Sequence, residues 1–195
     1  MKAVTSTFSP RPKASQSGFT LTETTVVVAI IGILASIAAP GWLAFNSRQQ
    51  LRTANSQVYQ AMQLARSNAR REKVTWQTSF REQENRVQWA THPADGIPTQ
   101  WETLPSGVQL DLEETSFRKA SNVYRARFNY QGCPVDGIDN ECTQTSLRAK
   151  GRVTLKHKHL GERRHCTFIS TLLGAICTDI YTSARQASGQ ACYRS

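Results

Sequence analysis

The chain has 195 residues, which is enough for one ordinary domain with an appended segment. Apolar residues make up 39% and charged residues 19% of the chain, a composition typical of a globular protein and not of a disordered one. The formal net charge is +10 at pH 7, so an acidic partner such as nucleic acid or an anionic surface has to be considered. The apolar residues are concentrated near the N-terminus, which argues against a freely soluble cytosolic enzyme.

An uncharged stretch covers residues 24–47. A bilayer core of about 30 Å needs roughly 20 helical residues, so residues 24–45 are long enough to cross it. Lys2, Arg11 and Lys13 precede this stretch with no acidic residue among them. By the positive-inside rule, we expect the N-terminus in the cytoplasm and the remainder of the chain on the other side of the membrane.

Two processing sites compete in this region. The residues Ser36, Ile37 and Ala38 have the small-x-small pattern of a signal-peptidase site, with cleavage near Ala39 or Pro40. Against that site, the apolar stretch begins next to an acidic residue, and such a residue at the edge of an apolar helix is costly unless it has a role.

The second site resembles the processing site of type IV prepilins. Residues 18–23 read Gly-Phe-Thr-Leu-Thr-Glu and run into a helix rich in valine and isoleucine. The resemblance implies that a prepilin peptidase cuts between Gly18 and Phe19 on the cytoplasmic face, and that the new N-terminal Phe19 is methylated. It also implies that Glu23 is the family's single intramembrane acid and that Pro40 is its helix-softening proline.

Glu23 is the residue with the clearest expected role in assembly. A carboxylate inside hydrocarbon favours a nearby cation, and the free amine of a neighbouring subunit's Phe19 can supply it. We expect this pair to set the axial register of helices packed in a filament core. The alternative is a Glu23 carboxylate that reaches out to the membrane interface.

A second, amphipathic half of the helix is predicted over residues 46–73. Its apolar stripe recurs at steps of three and four residues and is mostly alanine, which suits a helix lying close against a sheet. Arg70, Arg71 and Lys73 favour the negative end of the helix dipole, so we expect the helix to end near residue 73. The stripe consists of Leu51, Ala54, Val58, Ala61, Ala65 and Ala69.

The remainder of the chain has strand patterns. Alternating, β-branched and aromatic residues predict strands over 74–80, 86–90, 108–112, 125–130, 152–159 and 164–170. No second helix of comparable length is indicated. The fold class predicted is therefore α+β, with a long N-terminal helix packed on an antiparallel β-sheet head. The expected segments are a leader over 1–18, a transmembrane and filament-core helix over 19–45, the amphipathic half over 46–73, and the head over 74–195.

Two further strings resemble the FimT/GspH class, which comprises minor pilins of type IV pili and minor pseudopilins of type II secretion. They are residues 60–74 and residues 128–132, which read Phe-Asn-Tyr-Gln-Gly. The resemblance implies the pilin fold and, as partners, other pilins in a filament, the prepilin peptidase and an inner-membrane assembly platform. It further implies a single-pass inner-membrane protein with a periplasmic head that later enters a pilus or pseudopilus.

Five cysteines lie on the side expected to be exported, where disulfides persist. Cys133 and Cys142 enclose a short turn-rich loop and are the first candidates for a bridge. A second bridge joins either Cys166 to Cys177 or Cys177 to Cys192, and the sequence leaves both open. Since five is an odd number, at least one thiol is free, capped or paired with another chain.

The sequence contains few candidates for a metal-binding or catalytic site. The loop between Cys133 and Cys142 contains Asp136, Asp139 and Glu141, which would suit calcium, although an acidic surface turn explains them equally well. No P-loop, Gly-x-Ser-x-Gly or His-Glu-x-x-His motif occurs, and the cysteines and histidines lack zinc-site spacing. We therefore predict no enzyme activity, no cofactor and no metal.

Positive charge is concentrated late in the chain, where residues 115–195 contain 13 basic and 5 acidic residues. Residues 156–165 predict two strands joined by a turn, with Lys156 and Lys158 on one face and Arg163 and Arg164 returning beside them. His157, His159 and His165 would add charge to this basic hairpin as the pH falls.

Three interpretations of the hairpin stay open: contact with the phosphates of extracellular DNA, docking on an acidic neighbouring pilin, and a solvated face. Tail residues with ring or charged side chains would add to DNA contact, namely Tyr181, Arg185, Tyr193 and Arg194. The DNA-binding members of the class carry a Gly-Arg-x-Arg element near the C-terminus. The corresponding residues 174–177 here are Gly-Ala-Ile-Cys and lack both arginines.

The predicted function is that of a minor pilin of a type IV pilus. A minor pseudopilin of type II secretion and a DNA-binding minor pilin acting in natural transformation are the alternatives.

Overall fold

The computed structural model describes residues 20–138, 141–142 and 150–181. The chain divides into two units between Gly41 and Trp42. One helix, α1, extends over Leu21–Glu72. The predicted fold class, α+β with a long N-terminal helix packed on an antiparallel head, is confirmed.

The first unit contains the start of α1. Thr20 caps the helix, since its hydroxyl accepts a hydrogen bond from the backbone N–H of Glu23 at 3.2 Å. The apolar side chains that follow are exposed, and this part of α1 is long and apolar enough to cross a membrane. The backbone of α1 stays helical through Pro40.

The second unit begins with the remainder of α1. Its predicted apolar stripe is confirmed, because each of the six stripe residues is at most 1% exposed. The helix ends at Glu72, one residue before the predicted end, and Lys73 follows it with a φ of +60° in the left-handed region. The stripe packs into a core shared with the strands.

The strands of the described residues lie in two antiparallel sheets. In chain order they are β1 (Trp76–Gln83), β2 (Arg86–Pro93), β3 (Glu102–Thr103), β4 (Val108–Leu110), β5 (Arg118–Ala120), β6 (Val123–Phe128), β7 (Pro134–Val135), β8 (Arg152–His157), β9 (Arg164–Ile169) and β10 (Ile176–Tyr181). Sheet A has the order β3-β2-β1-β6-β5, with β7 also paired to β6, and sheet B has the order β10-β9-β8-β4.

All six predicted strands are present, with ends that differ by a few residues. The strands that sequence reasoning missed are β3, β5, β7 and β10. The first three have only two or three residues, too few to show a period. β10 has six residues, but its sequence Ile-Cys-Thr-Asp-Ile-Tyr mixes polar and apolar side chains without clear alternation.

The side chains of strand β1 show which face of sheet A packs against α1 and which face points away from it. Phe80 is buried in the core, and the Thr78 hydroxyl donates to the backbone carbonyl of Ala61 on α1 at 3.1 Å. Successive side chains of a strand point to opposite faces, so the alternate residues of β1 point away from α1. These residues are Gln77, Ser79 and Arg81.

Candidate functional site

The residues predicted for processing and assembly lie at and before the start of α1. Glu23 is in the first turn, where a carboxylate interacts favourably with the helix dipole, and it is exposed. Pro40 lies within the helix. Gly18 and Phe19 fall outside the described residues.

A disulfide joins Cys133 and Cys142, the first predicted pair, with Cα atoms 5.5 Å apart. The turn before the bridge is held by Asn129, whose side-chain oxygen accepts hydrogen bonds from the backbone N–H groups of Gln131 (3.1 Å) and Cys133 (3.0 Å). The connection from β6 to β7 is therefore fixed by a covalent bond and by two hydrogen bonds.

The acidic loop inside this bridge contacts two arginines of sheet A. The Asp136 carboxylate accepts a hydrogen bond from Arg118 at 2.9 Å, and its backbone carbonyl accepts one from Arg127 at 2.6 Å. Asp139 lies outside the described residues. In the described part of the chain, the loop thus holds guanidinium groups of sheet A.

Both alternatives for the second bridge are wrong, because Cys177 is a free thiol. The antiparallel register of β9 and β10 places Cys177 opposite Phe168 and away from Cys166. Cys166 is itself disulfide-bonded. Cys192 lies outside the described residues, as do Arg185, Tyr193 and Arg194 of the tail.

The basic hairpin forms from β8 and β9, but its cations are not arranged as expected. Lys156 lies opposite Arg164 on the paired strands, whereas Lys158 falls beyond the end of β8 in the turn and does not share a strand face with Lys156. Arg163 precedes β9 and is half-buried. The Arg164 guanidinium forms an ion pair with the buried Asp111 at 2.6 Å, so its charge is compensated inside the head.

Two of the three hairpin histidines gain charge only at a lower pH than an ordinary histidine does. His165 is 4% exposed, and burial, with Arg52 and Arg163 nearby, lowers its pKa to about 4. Burial also lowers the pKa of His157, whose Nε2 lies 3.0 Å from the side-chain oxygen of Gln50. Both rings point into the head because His157 and His165 lie on the face of their strands that packs against the core.

Two arginines near the end of α1 form a clamp that the sequence analysis did not find. Arg66 donates from Nε to the carbonyl of Gly132 at 3.1 Å and from Nη2 to the carbonyl of Leu173 at 2.9 Å. Arg70 donates from Nε to the carbonyl of Gln131 at 3.1 Å. Their spacing of four residues, which places both on one helix face, was the available signal.

A groove of about 470 Å³ lies on the face of sheet A that points away from α1. We call it the arginine groove, because Arg81 of β1 and Arg125 and Arg127 of β6 line it. The loop over residues 94–101 forms its other wall. The Arg-x-Arg pattern of β6 was the sequence signal, since alternate residues of a strand share a face, and it was overlooked.

Residues 13–39 match the family model of the prokaryotic N-terminal methylation motif. Two curated fimbrial proteins of Pseudomonas aeruginosa are each 52% identical to this chain over 44 residues, which are 23% of this chain and 29% of each relative. The chain thus matches less than a third of the length of these relatives.

The chain is also similar to a solved structure of the type IV minor pilin FimU from Pseudomonas aeruginosa strain PAO1. The sequence identity is 13% and the TM-score is 0.45, with 69% of this chain and 92% of that chain covered. The methylation motif and the fimbrial relatives support the predicted resemblance to type IV prepilins over the N-terminal part of the chain.

Proposed function

We propose that this chain is a minor pilin, which enters a type IV pilus after a prepilin peptidase removes residues 1–18. The observation that carries the proposal is the N-terminal methylation motif, which covers Gly18, Phe19 and Glu23. The similar relatives are named fimbrial proteins, which supports a place in a filament.

Glu23 is the assembly residue in this proposal. Its carboxylate lies at the start of an apolar helix whose side chains are exposed and need either lipid or other helices around them. In a filament, the amine of a neighbouring subunit's Phe19 supplies the compensating positive charge. The other pilins are the partners of residues 19–45, and the assembly platform receives the processed chain in the inner membrane.

The head belongs outside the cytoplasm in this proposal. A disulfide between Cys133 and Cys142 is the type of bond that persists in an oxidising compartment such as the periplasm. Residues 1–18 contain three basic residues and no acidic residue, which favours the same orientation.

A mass spectrum of the mature protein isolated from whole cells tests the processing step. We expect a chain that starts at N-methylated Phe19. A chain that starts at Ala39 or Pro40 would contradict the proposal, because the apolar helix would have been removed by an ordinary signal peptidase.

The assembly step is tested with Glu23→Ala. The variant should remain in the membrane but be lost from sheared filaments, because the carboxylate no longer pairs with the neighbouring amine. Glu82→Ala, which removes an exposed carboxylate from β1 of the head, is the matched control and should enter filaments normally. Equal incorporation of the two variants would exclude the role of Glu23.

A minor pseudopilin of type II secretion would share this processing and would differ in the machine it joins. Immunodetection of the chain in purified pili supports the pilus. Its absence from pili, with loss of protein secretion when the chain is deleted, would support the pseudopilin instead.

DNA uptake through the basic hairpin is not part of this proposal. Arg164 is paired with Asp111, and burial lowers the pKa of both His157 and His165, so the hairpin offers fewer cations to phosphate than its sequence indicates. Phosphate contact needs clustered charges that are free to bind.

A further inference from the structure

The arginine groove is lined by three kinds of surface that binding sites for small polar ligands combine. Its rim is cationic, its floor is made of buried neutral polar side chains, and the loop over 94–101 adds the apolar residues Ile97, Pro98 and Trp101. Its volume of about 470 Å³ falls within the range of roughly 300 to 1,000 Å³ that is usual for such pockets.

The floor consists of Gln77, Ser79 and His92, which are at most 7% exposed. The Nδ1 of His92 lies 2.8 Å from the carbonyl of Pro93, so this nitrogen carries the proton. Nε2 is then an acceptor, 3.0 Å from the Ser79 hydroxyl and 3.3 Å from the Gln77 amide nitrogen. Burial lowers the pKa of His92, which keeps the ring neutral.

This network leaves hydrogen-bonding capacity in the floor. Ser79 uses its proton toward His92 and keeps the lone pairs of its oxygen, while Gln77 uses one of its two amide protons. An alcohol group fits both, because it donates to the serine oxygen and accepts from the amide.

The rim holds its arginines in place and leaves donors free. Arg81 donates from Nε to Gln88 at 2.8 Å and lies over the ring of Trp101 at 3.9 Å. Arg127 is held by Gln77 at 2.9 Å and by the Asp136 carbonyl. Each guanidinium has five N–H donors, and the described contacts of each use at most two.

The rim charges are not balanced inside the groove. Among the described residues that line it, three are arginines and none is a carboxylate. The pKa of Arg127 is lowered by burial and by the charges of Arg125 and Arg118, with Asp136 acting in the opposite direction. An anion on the rim relieves this repulsion and accepts the free N–H donors.

We propose that the arginine groove binds an anionic sugar, with its carboxylate or phosphate on Arg125 and Arg127 and its hydroxyl groups on Ser79 and Gln77. The two anionic groups share the same recognition by guanidinium, and a ring-shaped body fits beside Trp101. This site is separate from the proposed filament contacts of residues 19–45, so its test does not depend on them.

Binding is measured by calorimetric titration of the full chain in a nonionic detergent. Glucuronate and glucose 6-phosphate are the anionic probes, and glucose, acetate and inorganic phosphate are the controls. We expect at least one anionic sugar to bind more tightly than all three controls. A preference for glucuronate would assign the carboxylate, and a preference for glucose 6-phosphate would assign the phosphate.

Arg125→Gln removes a rim charge whose described contact is one hydrogen bond to Ala120 at 3.4 Å, so folding should be preserved. We expect affinity to fall about tenfold or more. Lys158→Gln removes an equal charge from the exposed hairpin turn and should leave affinity unchanged. Ile97→Asp adds a carboxylate at an 87% exposed position of the wall and should weaken binding without touching the core.

Several results would overturn the proposal. These are no binding of either anionic sugar at millimolar concentration, binding of acetate or inorganic phosphate as tight as that of the sugars, and an equal loss of affinity in Lys158→Gln and Arg125→Gln. The last result would mean that only the overall positive charge attracts the ligand. If Arg125→Gln fails to fold, unchanged binding in Ile97→Asp is the contradicting result.

Discussion

Arg66 of α1 donates a hydrogen bond from its Nε to the backbone carbonyl of Gly132, 3.1 Å away. The same guanidinium reaches the carbonyl of Leu173, in the turn between β9 and β10. Gly132 follows β6 of sheet A, whereas Leu173 lies in a turn that connects two strands of sheet B, so one side chain ties loops of both sheets to the helix.

Removing this clamp should destabilise the head. Arg66→Ala leaves two carbonyls without their donor, and a hydrogen bond to a charged group contributes about 1.5 to 3 kcal/mol. Since the contact to Leu173 is exposed and that to Gly132 only partly buried, water replaces part of this, and we expect a loss of about 2 kcal/mol in the free energy of unfolding. Arg71→Ala removes an exposed arginine whose ion pair with Glu72 is worth little, and is the control. Equal urea midpoints for the two variants would contradict the role of the clamp.

The turn beneath the clamp leaves no room for a side chain at Gly174. A Cβ there would lie 2.2 Å from the Gly132 carbonyl oxygen, and the φ of +80° is itself unfavourable for other residues. Gly161 also has a positive φ, +54°, but no atom lies within 4 Å of its Cβ position. Gly161→Ala should therefore cost about 1 kcal/mol, and Gly174→Ala several times more.

Thermal unfolding of the two glycine variants separates the effect of crowding from that of backbone conformation. Similar melting temperatures for the two variants would contradict this prediction, because they would show that the turn accommodates a Cβ at Gly174 without loss of stability.

The disulfide between Cys133 and Cys142 should contribute about 2 to 3 kcal/mol, because it closes a short loop in the unfolded chain. The double variant with serine at both positions is expected to lose this amount, measured by urea unfolding. Cys177→Ser replaces the free thiol and should leave stability nearly unchanged. A larger loss in Cys177→Ser than in the double variant would contradict this assignment.

Stability should fall as the pH decreases from about 6.5 to about 4. The pKa of His165 is about 4 in the folded chain, against an ordinary value of 6.5, so over this interval the unfolded chain binds a proton that the folded chain does not. This difference is worth at most about 3 kcal/mol, and it is fully developed only near the lower end of the interval. The charges of Arg52 and Arg163 both oppose protonation of the ring.

The test is the free energy of unfolding as a function of pH. His165→Gln should flatten the slope between pH 6.5 and 4, whereas His159→Gln removes a histidine from the exposed turn of the same hairpin and serves as the control. An unchanged slope in His165→Gln would show that other groups determine the acid sensitivity.

Sequence periodicity predicted the helix and the longer strands well, because a stripe such as Leu51 to Ala69 is a local property of the chain. The same reasoning failed where a side chain's surroundings come from distant residues. His157 looked like a surface histidine, yet Gln50 lies 107 residues away along the chain and contacts its ring. The arginine groove was missed for a similar reason, since its floor becomes buried only when residues 94–101 cover the outer face of sheet A.

The loop closed by Cys133 and Cys142 also positions a rim arginine, because the Asp136 carbonyl inside that loop holds Arg127. A chain whose two thiols are still reduced lacks the covalent tie on this loop, and we expect the Arg127 guanidinium to be less well ordered in it. Affinity for an anionic ligand would then depend on oxidative maturation. A newly made head would gain its binding capacity only after it reaches an oxidising environment, which would keep it from capturing anionic metabolites beforehand.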